Sequence, residues 1–370
     1  MRFTVSSSAL SSKLNMLVKV IGSKNSLPIL DNFLFQVANG ELSITASDND
    51  NIIKSNIALT DCEGEGEFCV PTRVVIDALK ELPEQPLNFD VDTESYAIKI
   101  VYQNGLYNFT GIDSEDYPRS QEMAEGCTII TLPTDILIEN ITRSLFATAS
   151  DELRPVMNGI YFDLTPEALT IVSSDGHKLV RSKNFTIKNE TRSAFNLPKK
   201  PATLLKTILS KGDDATIKFD ERSAEIQFTD GVMRCRLIDG RYPNYNSVIP
   251  TTNQYSVSID RVQLLNALRR VSVFTSSSGL VKLEMRPDEV LMSTQDIDYS
   301  TSAEERIVCD YNGVEMAIGF NDENIIDVLN NIDAENISVQ LIDPTRAGLF
   351  LPVEQKENEE LLVLLMPMML

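Results

Sequence analysis

Cysteine is scarce in this sequence and poorly placed for chemistry. The five thiols, Cys62, Cys69, Cys127, Cys235 and Cys309, are odd in number and widely scattered, with no Cys-x-x-Cys pair. That distribution argues against a disulfide framework and against a zinc site, and it suits a reducing compartment, so a cytoplasmic protein is expected. Long apolar runs are missing as well. The one strongly apolar stretch late in the chain, Leu361 to Leu370, is far too short to span a bilayer, so no membrane partner is expected. No secretory signal is expected, because Met1-Arg2-Phe3-Thr4-Val5 opens directly into strand-like alternation. Glycine and proline, sixteen of each, leave no room for a collagenous or disordered chain.

Positive charge is the third shortage. Lysine and arginine number 33 against 54 aspartates and glutamates, a formal net charge of −21. This balance excludes a generic basic groove, although net charge describes solubility and non-specific association rather than any one surface. A chain that confines its few cations to an inward surface and keeps an acidic exterior still suits nucleic acid.

Catalytic motifs are absent too. There is no G-x-x-x-x-G-K-[ST] loop, no G-x-G-x-x-G and no H-E-x-x-H. The single histidine sits in Asp175-Gly176-His177-Lys178 with no serine or cysteine nucleophile motif beside it. A general base needs a partner and a substrate pocket, so His177 reads as a turn residue or as part of a pocket lining. Glu63-Gly-Glu-Gly-Glu67 reads as a solvated loop. Nothing points to an enzyme, a metal or a cofactor.

What is present is an internal repeat. Leu42-Ser-Ile-Thr-Ala-Ser-Asp48, Leu169-Thr-Ile-Val-Ser-Ser-Asp175 and Val290-Leu-Met-Ser-Thr-Gln-Asp296 are strands that end in aspartate, spaced about 120 to 130 residues apart. Each follows another alternating strand, at 32–37, 159–163 and 280–285. The three aspartates belong to separate copies, so a strand-end turn is expected of them and a shared metal is not. Upstream of each strand pair lies a helix with apolar residues at three- and four-residue steps. The first carries Leu10, Leu14, Leu17, Val18 and Ile21. The second starts at Pro133-Thr134-Asp135 and carries Ile136, Leu137, Ile141 and Leu145. The third has Asp260 as N-cap and carries Val262, Leu265, Leu268 and Val271.

A second helix recurs in each copy, after Pro71-Thr72, Pro198-Lys199-Lys200-Pro201 and Asn321-Asp322, and short alternating strands follow each one. Its apolar residues are Val74, Val75, Ala78, Leu79 and Leu82 in the first copy. They are Leu204, Leu205, Ile208 and Leu209 in the second, and Ile325, Ile326, Leu329 and Ile332 in the third. Every copy therefore reads as two similar halves. The fold class is α+β: three similar domains near 1–127, 128–254 and 255–370, each of antiparallel sheet with two helices on one face. Closure of such copies into an arc or a ring depends on angles that the sequence does not specify.

Five stretches resemble one known family. They are Met1-Arg-Phe-Thr-Val5, Leu27-Pro-Ile-Leu30, Ser174-Asp-Gly-His-Lys-Leu179, Leu237-Ile-Asp-Gly-Arg-Tyr-Pro-Asn-Tyr245 and the terminal Met366-Pro-Met368. Together, in this order and over the full length, they resemble the bacterial β sliding clamps, the beta subunits of DNA polymerase III. The resemblance implies a non-enzymatic processivity factor. Two chains close head-to-tail as a homodimer into a ring, with helices lining the hole, and the ring encircles double-stranded DNA independently of its sequence. It implies partners that dock through short linear peptides: the polymerase III catalytic subunit, the clamp loader and repair polymerases.

Residue roles follow from the resemblance in the same way. Cations on the helices or beside them are the candidates to face DNA: Lys13, Lys24, Arg73, Lys80, Arg143, Lys199, Lys200, Lys206, Arg269 and Arg270. The resemblance most directly supports Lys24 and the pair Lys199 and Lys200. The sixth helix, with Asp322, Glu323 and Asp327, contributes none, so the lining is weakly basic, as sliding requires.

The apolar tail Leu364, Leu365, Met366, Pro367, Met368 and Leu370 marks an interaction site. The resemblance joins it to Met157, Ser174, Gly176, His177, Leu179, Pro243 and Val248 in a hydrophobic pocket for a peptide with Gln and Leu or Phe anchors. Ser247 and Met369 depart from the family, which often has a basic residue at each position, so the pocket's polar rim is altered. At the subunit interface, Tyr107 and Phe109 on an edge strand of the first domain match positions that face Val273 and Phe274 of the third. The competing expectation from another class is a repeat-built peptide-binding scaffold that does not encircle DNA. An enzyme of nucleotide metabolism is a distant third.

Overall fold

The computed structural model describes every residue except Ser23, Lys24, Ser26, Ser120, Gln121, Glu122, Ala124 and Glu125. The first copy runs through Arg2–Ser6 (β1), Ser7–Leu17 (α1), Asn32–Ala38 (β2), Glu41–Ser47 (β3), Asn51–Ala58 (β4), Asp61–Glu63 (β5), Gly66–Pro71 (β6), Thr72–Lys80 (α2), Pro86–Val91 (β7), Ala97–Tyr102 (β8) and Gly105–Thr110 (β9). The second runs through Thr128–Pro133 (β10), Thr134–Leu145 (α3), Gly159–Leu164 (β11), Leu169–Ser174 (β12), Lys178–Asn184 (β13), Ser193–Pro198 (β14), Lys199–Ile208 (α4), Asp214–Phe219 (β15), Ser223–Phe228 (β16) and Gly231–Arg236 (β17). The third runs through Tyr255–Asp260 (β18), Arg261–Val271 (α5), Leu280–Met285 (β19), Glu289–Asp296 (β20), Thr301–Val308 (β21), Asp310–Tyr311 (β22), Met316–Asn321 (β23), Asp322–Asn330 (α6), Asn336–Leu341 (β24), Gly348–Pro352 (β25) and Glu359–Leu365 (β26). One order, strand–helix–three strands, thus recurs six times, with β5 and β22 as short additions.

Local chemistry sets the helix starts. The Ser6 hydroxyl caps α1 by accepting from the Ala9 N–H, the Asp260 carboxylate caps α5 from Gln263, and the Asn321 side chain caps α6 from Asn324. Leu10, Leu14 and Leu17 bury one face of α1, and Leu264, Leu265, Leu268 and Val271 bury one face of α5. Val74 and Val262, expected among the core positions, are exposed instead. Val75 and Leu79 set the inward face of α2, and each successive helical residue turns about 100° from the last, so Val74 points outward. The same argument turns Val262 away from the side held by Leu265 and Leu268.

The three repeated aspartates close turns. Asp48 accepts from the N–H groups of Asp50 (3.1 Å) and Asn51 (2.7 Å). Asp175 does so from His177 (2.8 Å) and Lys178 (2.9 Å), and Asp296 from Tyr299 (3.1 Å). No described helix is long and apolar enough to cross a membrane.

Contacts divide the chain into two compact units, and the division passes through the central copy. One unit comprises residues 1–136 and 204–237; the other comprises 137–203 and 238–370. The first holds a five-stranded sheet, β5-β1-β7-β8-β9, and an eight-stranded sheet, β10-β15-β16-β17-β4-β3-β2-β6. The second holds a nine-stranded sheet, β14-β11-β12-β13-β26-β25-β24-β18-β22, and a four-stranded sheet, β21-β20-β19-β23. In each unit, one half of the central copy adds its strands to a neighbouring copy. The seams are β17 on β4, where Val232 faces Lys54, and β13 on β26, where Leu179 faces Leu364. Among the described residues all strand pairings are antiparallel, so the layers follow the α+β expectation.

The aspartate turns generate a stability prediction. Replacing Asp48 by Ala leaves the Asp50 and Asn51 N–H groups without their charged acceptor and should lower stability by about 1–3 kcal/mol. Asp48→Asn, which can make the same turn, should lose less than half of that. Urea unfolding of the three proteins measures the difference; equal losses would refute the turn role.

Candidate functional site

The terminal strand β26 alternates between two environments, because successive residues of a strand point to opposite faces. Leu362 and Leu364 join Leu179, Val172, Tyr242, Ile249 and Leu349 in one buried cluster. Leu361, Val363 and Leu365 enter the large core of the third copy beside Val180 and Phe350. Leu365, expected in the pocket, therefore belongs to the opposite face. Leu179 and Leu364 face each other across the β13–β26 ladder and form the floor on the pocket side, with Ser174 opposite Leu179 on β12.

The rim is built by the chain on either side of these strands. The Ser174 hydroxyl donates to the Lys178 carbonyl (2.9 Å) and accepts from the Gly176 N–H (3.2 Å), so its polar capacity goes to shaping the loop. Gly176 has φ +92°, in the left-handed region that other residues rarely adopt. A Cβ there would lie 2.7 Å from the Arg154 guanidinium, which pairs with Asp151 at 3.0 Å. Arg154 was not among the residues singled out from the sequence, and only this close approach over Gly176 reveals it. His177 is exposed, and its carbonyl accepts from the Met366 N–H at 2.8 Å. Met366 (42% exposed) and Val248 (58%) leave apolar surface open to solvent, with Pro243 also exposed and Met157 half-buried.

Beyond Pro367 the tail is held by β23. The Met368 N–H donates to the Gly319 carbonyl at 2.8 Å. A Cβ on Gly319 would meet the Met368 carbonyl oxygen at 2.9 Å and a Leu370 methyl at 3.0 Å. Met368 and Leu370 thus dock on the third copy's sheet and fix where the backbone leaves Met366. Met369 is 93% exposed.

The candidate cations divide by what engages them. Lys13 is spent on Asp230 (2.5 Å), and Arg270 pairs with Glu305. Arg269 donates to Asn330 at 3.0 Å. Arg143 is buried and pairs with Glu139 and Glu359, so it is structural and not available to a ligand. Lys80 and Lys206 are exposed. Lys199 and Lys200 are exposed in the first turn of α4, and Arg73 is exposed in the first turn of α2. A helix N-terminus is its positive end, where cations are unfavourable for the helix itself. Lys24 lies outside the described residues.

All four sheets are open, and the terminal strands β9 and β21 belong to the two short ones. β9 is the last strand of the five-stranded sheet; Leu106, Asn108 and Thr110 on it are exposed, while Tyr107 and Phe109 are half-buried. The Tyr107 ring packs on Tyr102 at 4.9 Å. β21 is the last strand of the four-stranded sheet. Val273 (77% exposed) and Phe274 (41%) stand out on the turn that follows α5.

Comparison with known proteins places this geometry. The chain matches the models of the DNA polymerase III beta subunit over its N-terminal domain (residues 1–121), central domain (131–244) and C-terminal domain (246–369). It is 27% identical to the beta sliding clamp of Pseudomonas aeruginosa over 382 residues, with 100% of both chains covered. A crystal structure of the DNA polymerase sliding clamp from Pseudomonas aeruginosa superposes with a TM-score of 0.94 at 24% identity, covering 100% of both chains. The DNA polymerase III beta subunit from Thermotoga maritima superposes with a TM-score of 0.90 at 26% identity, covering 100% of this chain and 99% of that one. Three family models in sequence, over nearly every residue, show that the chain belongs to the DNA polymerase III beta subunit family.

Proposed function

We infer that this chain is a DNA sliding clamp: a homodimeric ring that encircles duplex DNA and tethers the replicative polymerase to it. The observation that carries the reading is the incomplete seam. Each unit has one long sheet that runs across two copies, of eight or nine strands, and one short sheet of five or four. Placing β9 of one chain beside β21 of a second gives a nine-stranded sheet and repeats between chains the seam made within them. Open edges of this kind are where chains add to one another, and head-to-tail addition whose rotation closes on two copies makes the dimeric ring. Tyr107 and Phe109 meet Val273 and Phe274 of the second chain in this arrangement. The three domains are assigned to 1–127, 128–254 and 255–370.

Lys199, Lys200 and Arg73, with Lys24, are assigned to DNA. The first-turn positions of Lys199 and Lys200 on α4 and of Arg73 on α2 give each phosphate contact the helix dipole as well as the side chain. Exposed lysines and arginines make non-specific contacts that break easily, which suits sliding. The pocket over Leu179 and Leu364, rimmed by Met157, His177, Pro243, Val248 and Met366, takes the short peptides of the polymerase, the clamp loader and repair polymerases. Ser247 and Met369 remove basic groups from its rim, so apolar anchors dominate selection here. No catalysis is assigned, and five unpaired cysteines fit work in the cytoplasm.

Two experiments test this. Met366→Ala should weaken a Gln-Leu-type peptide by about 2 kcal/mol, roughly thirty-fold. Gly319→Val, which pushes the tail off β23, should reproduce the loss with the dimer intact by sedimentation; unchanged affinity in both variants sinks the pocket assignment. For DNA, the protein is loaded by a clamp loader onto a closed circle, the salt is raised moderately, and the circle is cut. Prompt release on cutting is expected, with retention on uncut circles insensitive to salt. Lys199→Ala with Lys200→Ala should impair loading and leave retention nearly unchanged. Equal retention on cut and uncut DNA would show binding by contacts and favour the scaffold over the clamp.

A further inference from the structure

The sheet face that carries the pocket continues past it into a groove of about 710 Å³ whose lining shares Pro243 with the pocket rim. Register places the two side by side. Ser174, Leu179 and Leu364 form one cross-strand row; Tyr161, Val172, Arg181 and Leu362 form the next; Asp163, Thr170, Lys183 and Glu360 form the third. The rows share a face because their members are two residues apart on each strand. Four residues along β26, roughly 13 Å at strand rise, separate the pocket floor from the far end of the groove.

The groove is built, not merely open. The Asp163 side chain is 4% exposed and holds Arg192 through two hydrogen bonds of 3.0 and 2.9 Å. The Tyr245 hydroxyl also donates to Asp163, at 3.0 Å. Tyr161 stacks on Tyr242 with ring centroids 4.6 Å apart, and Tyr242 belongs to the same buried cluster as Leu179 and Leu364. Burial raises the phenols of Tyr161 and Tyr245, and the neighbouring Asp163 charge adds to it, so both stay protonated donors.

The charges facing the groove are unevenly spent. Asp163 takes Arg192, and Lys183 lies 3.8 Å from Glu360. Arg192 keeps its Nη1 outside the Asp163 pair and is 68% exposed. Arg241 is exposed and has no ion-pair partner among the described residues. Glu167, exposed at the rim, is the one remaining carboxylate. In a chain of net charge −21, a lining with Lys183, Arg192 and Arg241 against Asp163 and Glu167, beside stacked tyrosines, is a local exception.

We propose that this groove extends the peptide pocket, taking four or five residues that flank the anchors of the partner peptide, with an acidic side chain on Arg241 and Arg192 and an apolar or aromatic one against Tyr161. The proposal rests on the pocket reading above and adds a second determinant of peptide choice. It places the polar selection, which Ser247 and Met369 remove from the rim, about 13 Å away along the same strands. An extended flank covers that distance at about 3.3 Å per residue.

The test uses the full-length protein and three labelled peptides read by fluorescence anisotropy. One carries the Gln and Leu anchors alone; the others add five residues containing Asp, Glu and Tyr at one end or the other. One extended peptide should bind about ten-fold tighter than the anchor peptide, and that gain should shrink as salt rises. Arg241→Glu should abolish the gain and leave the anchor peptide unchanged. Equal affinity of all three peptides overturns the groove and spares the pocket. A gain that survives Arg241→Glu, or equal weakening of anchor and extended peptides by it, overturns the groove as well. Absence of binding by the anchor peptide itself overturns the pocket reading, and this inference with it.

Discussion

The antiparallel ladder between β13 and β26 runs from Lys178 opposite Leu365 to Asn184 opposite Glu359. It extends the sheet of the central copy into that of the third, and it is made by nearly the last residues of the chain. Because the strand period is two, this register sends Leu361, Val363 and Leu365 into one core and Leu362 and Leu364 into another. A slip of one residue would exchange the two sets and expose the wrong side chains on both faces. Burying a leucine or valine side chain contributes about 1.5–3 kcal/mol, so five such residues fix the register firmly. The same ladder delivers Met366 to the His177 carbonyl. Pocket floor, tail position and the union of two copies are therefore one structural decision.

Electrostatics shows how an acidic chain manages few cations. Most of them are held by carboxylates: Lys13 by Asp230, Arg143 between Glu139 and Glu359, Arg181 by Glu360, Arg270 by Glu305. The exposed pairs among these contribute little to stability, because water and salt screen them. Their larger effect is to withdraw positive charge from general circulation. Lys199, Lys200 and Arg73 stand in first turns of helices, the positive end, where a cation is unfavourable for the helix dipole.

Much of the fold was legible from local signals. Asp260 and Asn321 announce helix starts because a short polar side chain before an apolar period caps a helix, and Asp48, Asp175 and Asp296 announce turns for the same local reason. Elements far apart in sequence were not legible. That β17 pairs with β4, so that the compact units cut the central copy, depends on edges with no local signature. Arg143 reads as an exposed helix cation until β26 brings Glu359, 216 residues away, against it. Leu365 was misplaced because a run of apolar residues hides its own alternation; only the partner strand says which members face which core. Arg154 gives no signal in its own neighbourhood, and the tyrosines and arginines that line the groove lie in three separate segments that only the fold gathers.

The open edges carry a consequence for how newly made chains find one another. An unpaired strand invites any other unpaired strand, including its own copy. β21 carries Glu304, Glu305 and Arg306, whereas β9, Gly105–Thr110, carries no charge at all. Two β21 edges brought together antiparallel would set acidic side chains near acidic side chains, and like charges across a ladder repel. Meeting β9 instead costs β21 no such repulsion. In the β9–β21 arrangement proposed above, this charge works against β21 pairing with its own copy, a pairing that would leave both β9 edges open.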